Sequence, residues 1–314
     1  MAEAYHTILT PLDGSPRSEM ALPLAARLAL KTQAQLVLVQ AIGEPNPHAA
    51  DPVQDQFRDS AAAKEYLDSL AAPLAAQGIL VTRSVVPQDA APGILEEIRA
   101  HHADIIVMTT RGRSGPGRWL FGSVAEAVLA HSPIPIWLVR TEGEIAAAIF
   151  DQAAPRILVP LDGSRMSEAA LPHAKTLAHI LNASLTLLHV VIPSTLSTDL
   201  ELSQGEPGVS GPLYGEFEAR MYLEDWVERL RVEGIPAATA VRDGSPAKEI
   251  LAESEASGVG LVVMATHGRT GVKRVIVGSV AMDVLRNGKR PILVTRPADL
   301  DERSVAQEIT TVGD

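Results

Sequence analysis

Residues 8–29 read ILTPLDGSPRSEMALPLAARLA, and residues 157–178 read ILVPLDGSRMSEAALPHAKTLA. About two thirds of the aligned positions are identical. Each stretch passes from a short apolar run, through Pro-Leu-Asp-Gly-Ser, into apolar residues at near-helical spacing, which reads as a strand, a turn and a helix. A second matched pair lies further on: VMTTRGRSGPGRWLFGSVAEAVL from Val107 and VMATHGRTGVKRVIVGSVAMDVL from Val263. Order and spacing are kept apart from a short insertion in the second copy. A whole domain has been duplicated, and each copy of about 140 residues is long enough for its own core.

Between the matched blocks, short Val/Ile/Leu-rich runs alternate with helical patterns. In copy one the expected strands are His6–Pro11, Gln35–Ile42, Ile79–Val86, Asp104–Thr109 and Ile134–Arg140. In copy two they are Arg156–Pro160, Ser184–Val191, Pro236–Arg242, Gly260–Ala265 and Pro291–Arg296. Helices are expected over Ser18–Leu30, Gln56–Gln77 (ending before Gly78), Pro92–His102 and Ser123–His131. Strands apolar on both faces and separated by helices imply parallel pairing with right-handed crossovers. The fold class is α/β: two tandem open, doubly wound parallel sheets. Residues 1–142 and 154–297 form the two domains, 143–153 a linker and 298–314 a polar tail expected to be poorly ordered. Gly43–Asp55, Thr141–Pro155 and Pro193–Gly215 read as loose segments. Each copy ends in an apolar strand that would be an aggregation hazard if left as a bare edge, so the two halves are expected to pair.

Composition narrows the function. Aromatic residues are only 4% of the 314, so aliphatic side chains must fill the cores. The absence of cysteine excludes disulfides, thiolate metal sites and a cysteine nucleophile. A net charge of −11 argues against nucleic acid and anionic membrane as partners. The start of the chain has no basic segment leading into an apolar stretch, and no apolar run could span a bilayer, so a cytoplasmic protein is expected.

Two motifs carry chemistry. The first is Pro11 to Ser15 and its repeat Pro160 to Ser164, at the carboxyl end of the first strand, where open parallel sheets bind ligands. Asp13 and Asp162 there can accept hydrogen bonds from a ligand's amine or hydroxyl; equally, they can simply form Asx turns or cap the next helix. The second motif follows the fourth strand: Gly112, Arg113 and Gly115 before Gly122-Ser123-Val124, and Gly268, Arg269 and Gly271 before Gly278-Ser279-Val280. Glycines let backbone N–H groups curl around an anion, and a helix start adds unpaired donors and partial positive charge. Gly122 and Gly278 are expected to offer their own N–H groups. Arg111 and Arg118 in copy one, and Lys273 and Arg274 in copy two, add positive charge in an otherwise acidic chain, which points to phosphate. The alternative is a glycine-rich turn capped by serine. No GxxxxGK[ST], GxGxxG after a first strand, GxSxG or HExxH occurs, and no carboxylate pair is placed for acid–base work.

Over nearly its whole length, in two copies, the sequence resembles the universal stress protein family. Nucleotide-binding members carry Gly, two residues, Gly, nine residues, then Gly-Ser or Gly-Thr. Gly112 with Gly122-Ser123 and Gly268 with Gly278-Ser279 match the last two elements; Thr109 and Ala265 stand in place of the first glycine. The resemblance implies a Rossmann-like strand order of 3-2-1-4-5 and pairing through the last strands into an intrachain pseudo-dimer, with room for a further homodimer. It implies that Asp13 and Asp162 lie near adenine or ribose, that Ala41 and Val190 touch the adenine ring, and that the glycine loops with Val124 and Val280 hold phosphates. The ligand would be ATP, AMP or ADP, with Mg as an optional companion on the phosphates. The function implied is a nucleotide-responsive stress sensor or regulator. A nucleotide-free scaffold with degenerate sites and slow ATP hydrolysis are the alternatives. Copy two is expected to bind more tightly, because Ala265 replaces the larger Thr109 and Gly244 stands where copy one has Ala90 or Ala91.

Overall fold

The computed structural model describes residues 5–43, 60–110, 122–140, 145–192, 215–256, 258–266 and 277–296. Among these residues ten strands form a single sheet. In copy one they are β1 (Thr7–Leu12), β2 (Gln35–Ala41), β3 (Val81–Val86), β4 (Ile105–Thr109) and β5 (Ile136–Val139). In copy two they are β6 (Arg156–Pro160), β7 (Ser184–Val191), β8 (Ala237–Asp243), β9 (Val259–Ala265) and β10 (Ile292–Thr295). The order β3-β2-β1-β4-β5-β10-β9-β6-β7-β8 gives each half the doubly wound arrangement expected. All neighbours are parallel except β5 and β10, which pair antiparallel with Trp137 opposite Leu293. The apolar final strands thus cover each other, and the pseudo-dimer is one continuous sheet.

Helices cover both faces. Leu22–Thr32, Ser60–Ala76, Leu171–Leu181 and Glu216–Val232 lie on one; Ala90–Ala100, Ser123–His131, Pro246–Ser254 and Ser279–Asn287 lie on the other. Both cores run through both copies, with Trp137 and Leu293 side by side in the first. β4 and β9, interior strands of the sheet, are buried along their whole length, whereas β3 and β8 at the sheet edges are half-exposed.

Two expectations change. The helix expected over Ser18–Leu30 is two helices, Pro16–Glu19 and Leu22–Thr32. Pro23 has no N–H to donate to the carbonyl of Glu19, so the helix stops and restarts. Pro172 does the same in copy two, dividing Arg165–Glu168 from Leu171–Leu181. The expected linker is not loose over 145–151: Ile145–Ala148 is helical, Ile149–Asp151 forms a 3₁₀ turn, and Ile149 is buried. A Cβ built on Gly260 of β9 would lie 2.9 Å from Ile149 Cγ1, so that glycine makes room for the linker. The matching residue of copy one is Asp104, whose carboxylate instead accepts from the N–H groups of His6 and Thr7 at 2.6 and 2.8 Å. The expected loose segments at 44–55 and 193–214, and the tail, lie outside the described residues.

Candidate functional site

In each half the chain winds outward from the first strand on one side and then crosses back to lay the fourth strand on the other. β1 therefore has β2 and β4 as neighbours, and β6 has β7 and β9. The segments leaving β1 and β4 diverge over opposite faces and open a crevice at the carboxyl ends of the strands. The Asp-Gly-Ser turns and the Gly-Ser helix starts both arrive there.

On one wall, Asp13 turns the chain. Its Oδ1 accepts from Ser15 N–H at 3.0 Å and Ser15 Oγ–H at 2.6 Å. Ser15 Oγ in turn caps the helix Pro16–Glu19 by accepting from Ser18 N–H at 3.2 Å. Gly14 sits at φ +79°, a conformation a Cβ would strain. Copy two repeats each feature: Asp162 Oδ1 accepts from Ser164 N–H and Oγ–H at 3.0 and 2.6 Å, and Gly163 has φ +82°. The Asx turn considered as an alternative is therefore present, and one carboxylate oxygen of each aspartate is committed to it. Pro11 is the penultimate residue of β1 and Pro160 the last of β6, the strands that lead into these turns.

A repeated tyrosine braces this wall, which sequence reading did not single out. Tyr66 Oη–H donates to Glu19 at 3.0 Å, and Tyr222 Oη–H donates to Glu168 at 2.8 Å. Trp226 Nε1–H adds a longer contact to Glu168 at 3.4 Å. Burial, reinforced by the neighbouring glutamate, holds both phenols well above the ordinary tyrosine range, so they are neutral donors. The helix after the second strand is thereby tied to the turn after the first. The signal existed: Glu19 and Glu168 fall inside the opening repeat. Their partners repeat too: Tyr66-Leu67 and Gly78-Ile79 recur as Tyr222-Leu223 and Gly234-Ile235 at the spacing of the second matched blocks.

The other wall is the start of the helix after β4 or β9. Gly122 and Gly278 are the N-cap residues of Ser123–His131 and Ser279–Asn287, and among the described residues no side chain caps either helix. The N–H of Gly122 donates to Thr110 O at 3.0 Å, and that of Gly278 to Thr266 O at 2.7 Å. These two N–H groups therefore close the base of the glycine loop, contrary to the expectation that they face a phosphate. The helix presents instead its first-turn N–H groups, those of Ser123 and Val124 or Ser279 and Val280. Both serines are exposed and both valines half-buried. Gly112, Arg113, Gly115, Gly268, Arg269 and Gly271 lie outside the described residues. Thr110 and Thr266, present in both matched blocks, are the residues that sequence reading missed here.

Ala41 ends β2 and Val190 lies near the end of β7; both are half-buried and remain paired in the ladder, with Val86 and Arg242. The same registers set Gly244 against Gln88, two positions after those partners, and not against Ala90 or Ala91. Gly244 has φ +142°, and its N–H donates to Val191 O, so its turn requires glycine. Thr109 and Ala265 are both buried. Among the described residues no three His, Cys, Asp or Glu side chains gather where a metal could be held, and no helix is long and apolar enough to cross a membrane.

The family model described as the universal stress protein family matches residues 4–140 and again residues 154–296. A universal stress protein of Mycobacterium tuberculosis is 29% identical over 308 residues, covering 92% of this chain and 96% of that protein. One of Mycolicibacterium smegmatis is 27% identical over 304 residues, covering 92% and 97%. Among solved structures, a universal stress protein from Archaeoglobus fulgidus aligns with a TM-score of 0.69 at 23% identity, covering 92% of this chain and 98% of that one, a likeness of fold.

Proposed function

The chain belongs to the universal stress protein family, and from that premise we propose that each copy binds an adenine nucleotide, ATP or its mono- or diphosphate, and that the chain acts as a cytoplasmic sensor or regulator. The phosphates meet the starts of Ser123–His131 and Ser279–Asn287. The base and ribose lie against the Asp13 or Asp162 turn and the ends of β2 or β7, near Ala41 or Val190.

One contrast carries the reading. Each crevice is bordered by two helix starts. The first is closed by its own serine, Ser15 or Ser164. The second has no side-chain cap among the described residues, although a serine stands at its first position. A helix start holds orphan N–H groups and partial positive charge. Leaving it open at the switch point, with arginines on the adjoining loop in a chain of net charge −11, suits an anion and gains nothing for stability.

The protein contributes binding and orientation. The turn carboxylate can accept from a ribose hydroxyl or an adenine amine, and the first-turn N–H groups can donate to phosphate oxygens. Mg, where present, would ride on the phosphates. The test is mass spectrometry of small molecules released when the purified chain is denatured, paired with calorimetric titration of ATP into nucleotide-stripped protein. Recovered adenine nucleotide and two binding sites per chain are expected. Protein that releases none and takes up none would favour the empty scaffold.

A further inference from the structure

We propose that each copy's phosphate-site helix is positioned by an arginine of the other copy, so that the two nucleotide sites are coupled across the central strand pair. This rests on the binding reading above. Arg140 follows β5 directly, and its Nη1–H groups reach across to the carbonyls of Leu285 and Arg286 at 3.1 and 3.4 Å. Those carbonyls lie in the last turn of Ser279–Asn287 in copy two. Arg296 follows β10 directly and donates to Ala130 O at 3.2 Å, in the last turn of Ser123–His131 in copy one. The arrangement is reciprocal about the antiparallel pairing of β5 and β10.

These are the two helices whose starts face the crevices. The final carbonyls of a helix lack intrahelical partners, and here the backbone satisfies only part of the deficit. Ser132 N–H takes Val128 O, and Gly288 N–H takes Val284 O, both at 2.8 Å. The arginine from across the interface takes carbonyls further on, where a cation also complements the helix dipole. A nine-residue helix behaves as a short rod, its ends roughly 12 Å apart. Holding its rear end from the other copy fixes where its front end presents N–H groups. The arginines grip the ends of these helices remote from the crevices and act as positioning residues. An anion that draws one helix start toward itself moves the carbonyls the opposite arginine grips, and with them the end of β5 or β10.

The experiment uses the full chain. On a Gly278→Val background only copy one retains an intact site; on Gly122→Val only copy two does. Calorimetric titration of ATP should show Arg296→Gln weakening the copy-one site by roughly five- to tenfold, the lower end of ordinary coupling between sites. Arg140→Gln should leave that site unchanged. On the other background the roles exchange. Arg296→Lys, which keeps the charge, should recover part of the loss. Hydrogen exchange without nucleotide gives a second readout: Arg296→Gln should speed exchange in 123–131 and Arg140→Gln in 279–287. Substitutions that weaken only their own copy, weaken both sites alike, or change neither affinity nor exchange would overturn the proposal. If the unmodified chain binds no ATP, the functional reading fails and the coupling falls with it. Normal ATP binding without the crossed pattern defeats the coupling alone.

Discussion

Gly278 has φ −61° and ψ 150°, angles open to any residue. The backbone there does not demand glycine, in contrast to Gly14 and Gly163 at φ +79° and +82°. A side chain at 278 would instead stand beside the open helix start. Gly278→Val should therefore weaken ATP binding in copy two by on the order of 10- to 1000-fold, the loss of one or two charge-assisted hydrogen bonds at about 1.5–3 kcal/mol each. Thermal melting without nucleotide should barely move. A variant that binds ATP normally would remove the phosphate from this helix, and one that unfolds would make Gly278 structural. The same titrations compare the copies. With Ala265 in place of Thr109, the Gly122→Val chain, in which only copy two is intact, should bind ATP more tightly than the Gly278→Val chain. Gly244 contributes nothing to this comparison, because its backbone angle already accounts for the residue.

At the scale of elements, the linker is an integral part of the sheet's cover. Ile149 lies over Gly260, and Asp151 pairs with Arg27 through two contacts of 2.5 and 3.0 Å. That pair is exposed and adds little stability; the buried isoleucine matters more. Gly260→Ala forces a methyl into a 2.9 Å contact and should cost about 1–3 kcal/mol by overpacking. Ile149→Ala should cost about 2–5 kcal/mol by leaving a cavity. Together the two should cost clearly less than their sum, because each relieves the other. Denaturant unfolding of the two single variants and the double variant checks this, and strict additivity would show that the two side chains do not compete for one space.

The whole molecule is held at its centre. Trp137 is fully buried opposite Leu293 on the one antiparallel pair. Trp137→Ala should cost about 3–5 kcal/mol and loosen both halves, seen as a lower melting temperature and a larger radius in small-angle scattering. Two freely tumbling lobes in the unmodified chain would contradict the continuous sheet. The copies also meet where Tyr5 Oη lies 3.5 Å from His173 Nδ1. Burial holds the His173 imidazole below its ordinary value of 6.5, while burial and Asp104 push the Tyr5 phenol up, so it stays neutral. A histidine depressed in the folded state binds its proton more readily when unfolded. Its stabilising contribution is present above about pH 6.5 and is lost as pH falls below it. Leu24 occupies the matching place in copy one. His173→Leu should therefore lose less melting temperature between pH 7.5 and 5 than the parent; an equal loss would place the acid sensitivity elsewhere.

The duplication, the ten strands and their alternation with helices were legible from residue order alone, because a buried parallel strand must be a short aliphatic run and its crossover an amphipathic one. Asp13-Gly14-Ser15 was legible as a turn for the same local reason: it needs a left-handed glycine and an acceptor two residues before a helix. What tertiary structure decided was every pairing between distant residues: Tyr66 with Glu19, Ile149 over Gly260, Arg140 and Arg296 across the centre. It also decided that the N–H groups of Gly122 and Gly278 close a loop, where a glycine next to a serine had suggested an open donor. A backbone donor goes to whichever acceptor the fold brings within about 3 Å, and nothing in the order of residues states that distance.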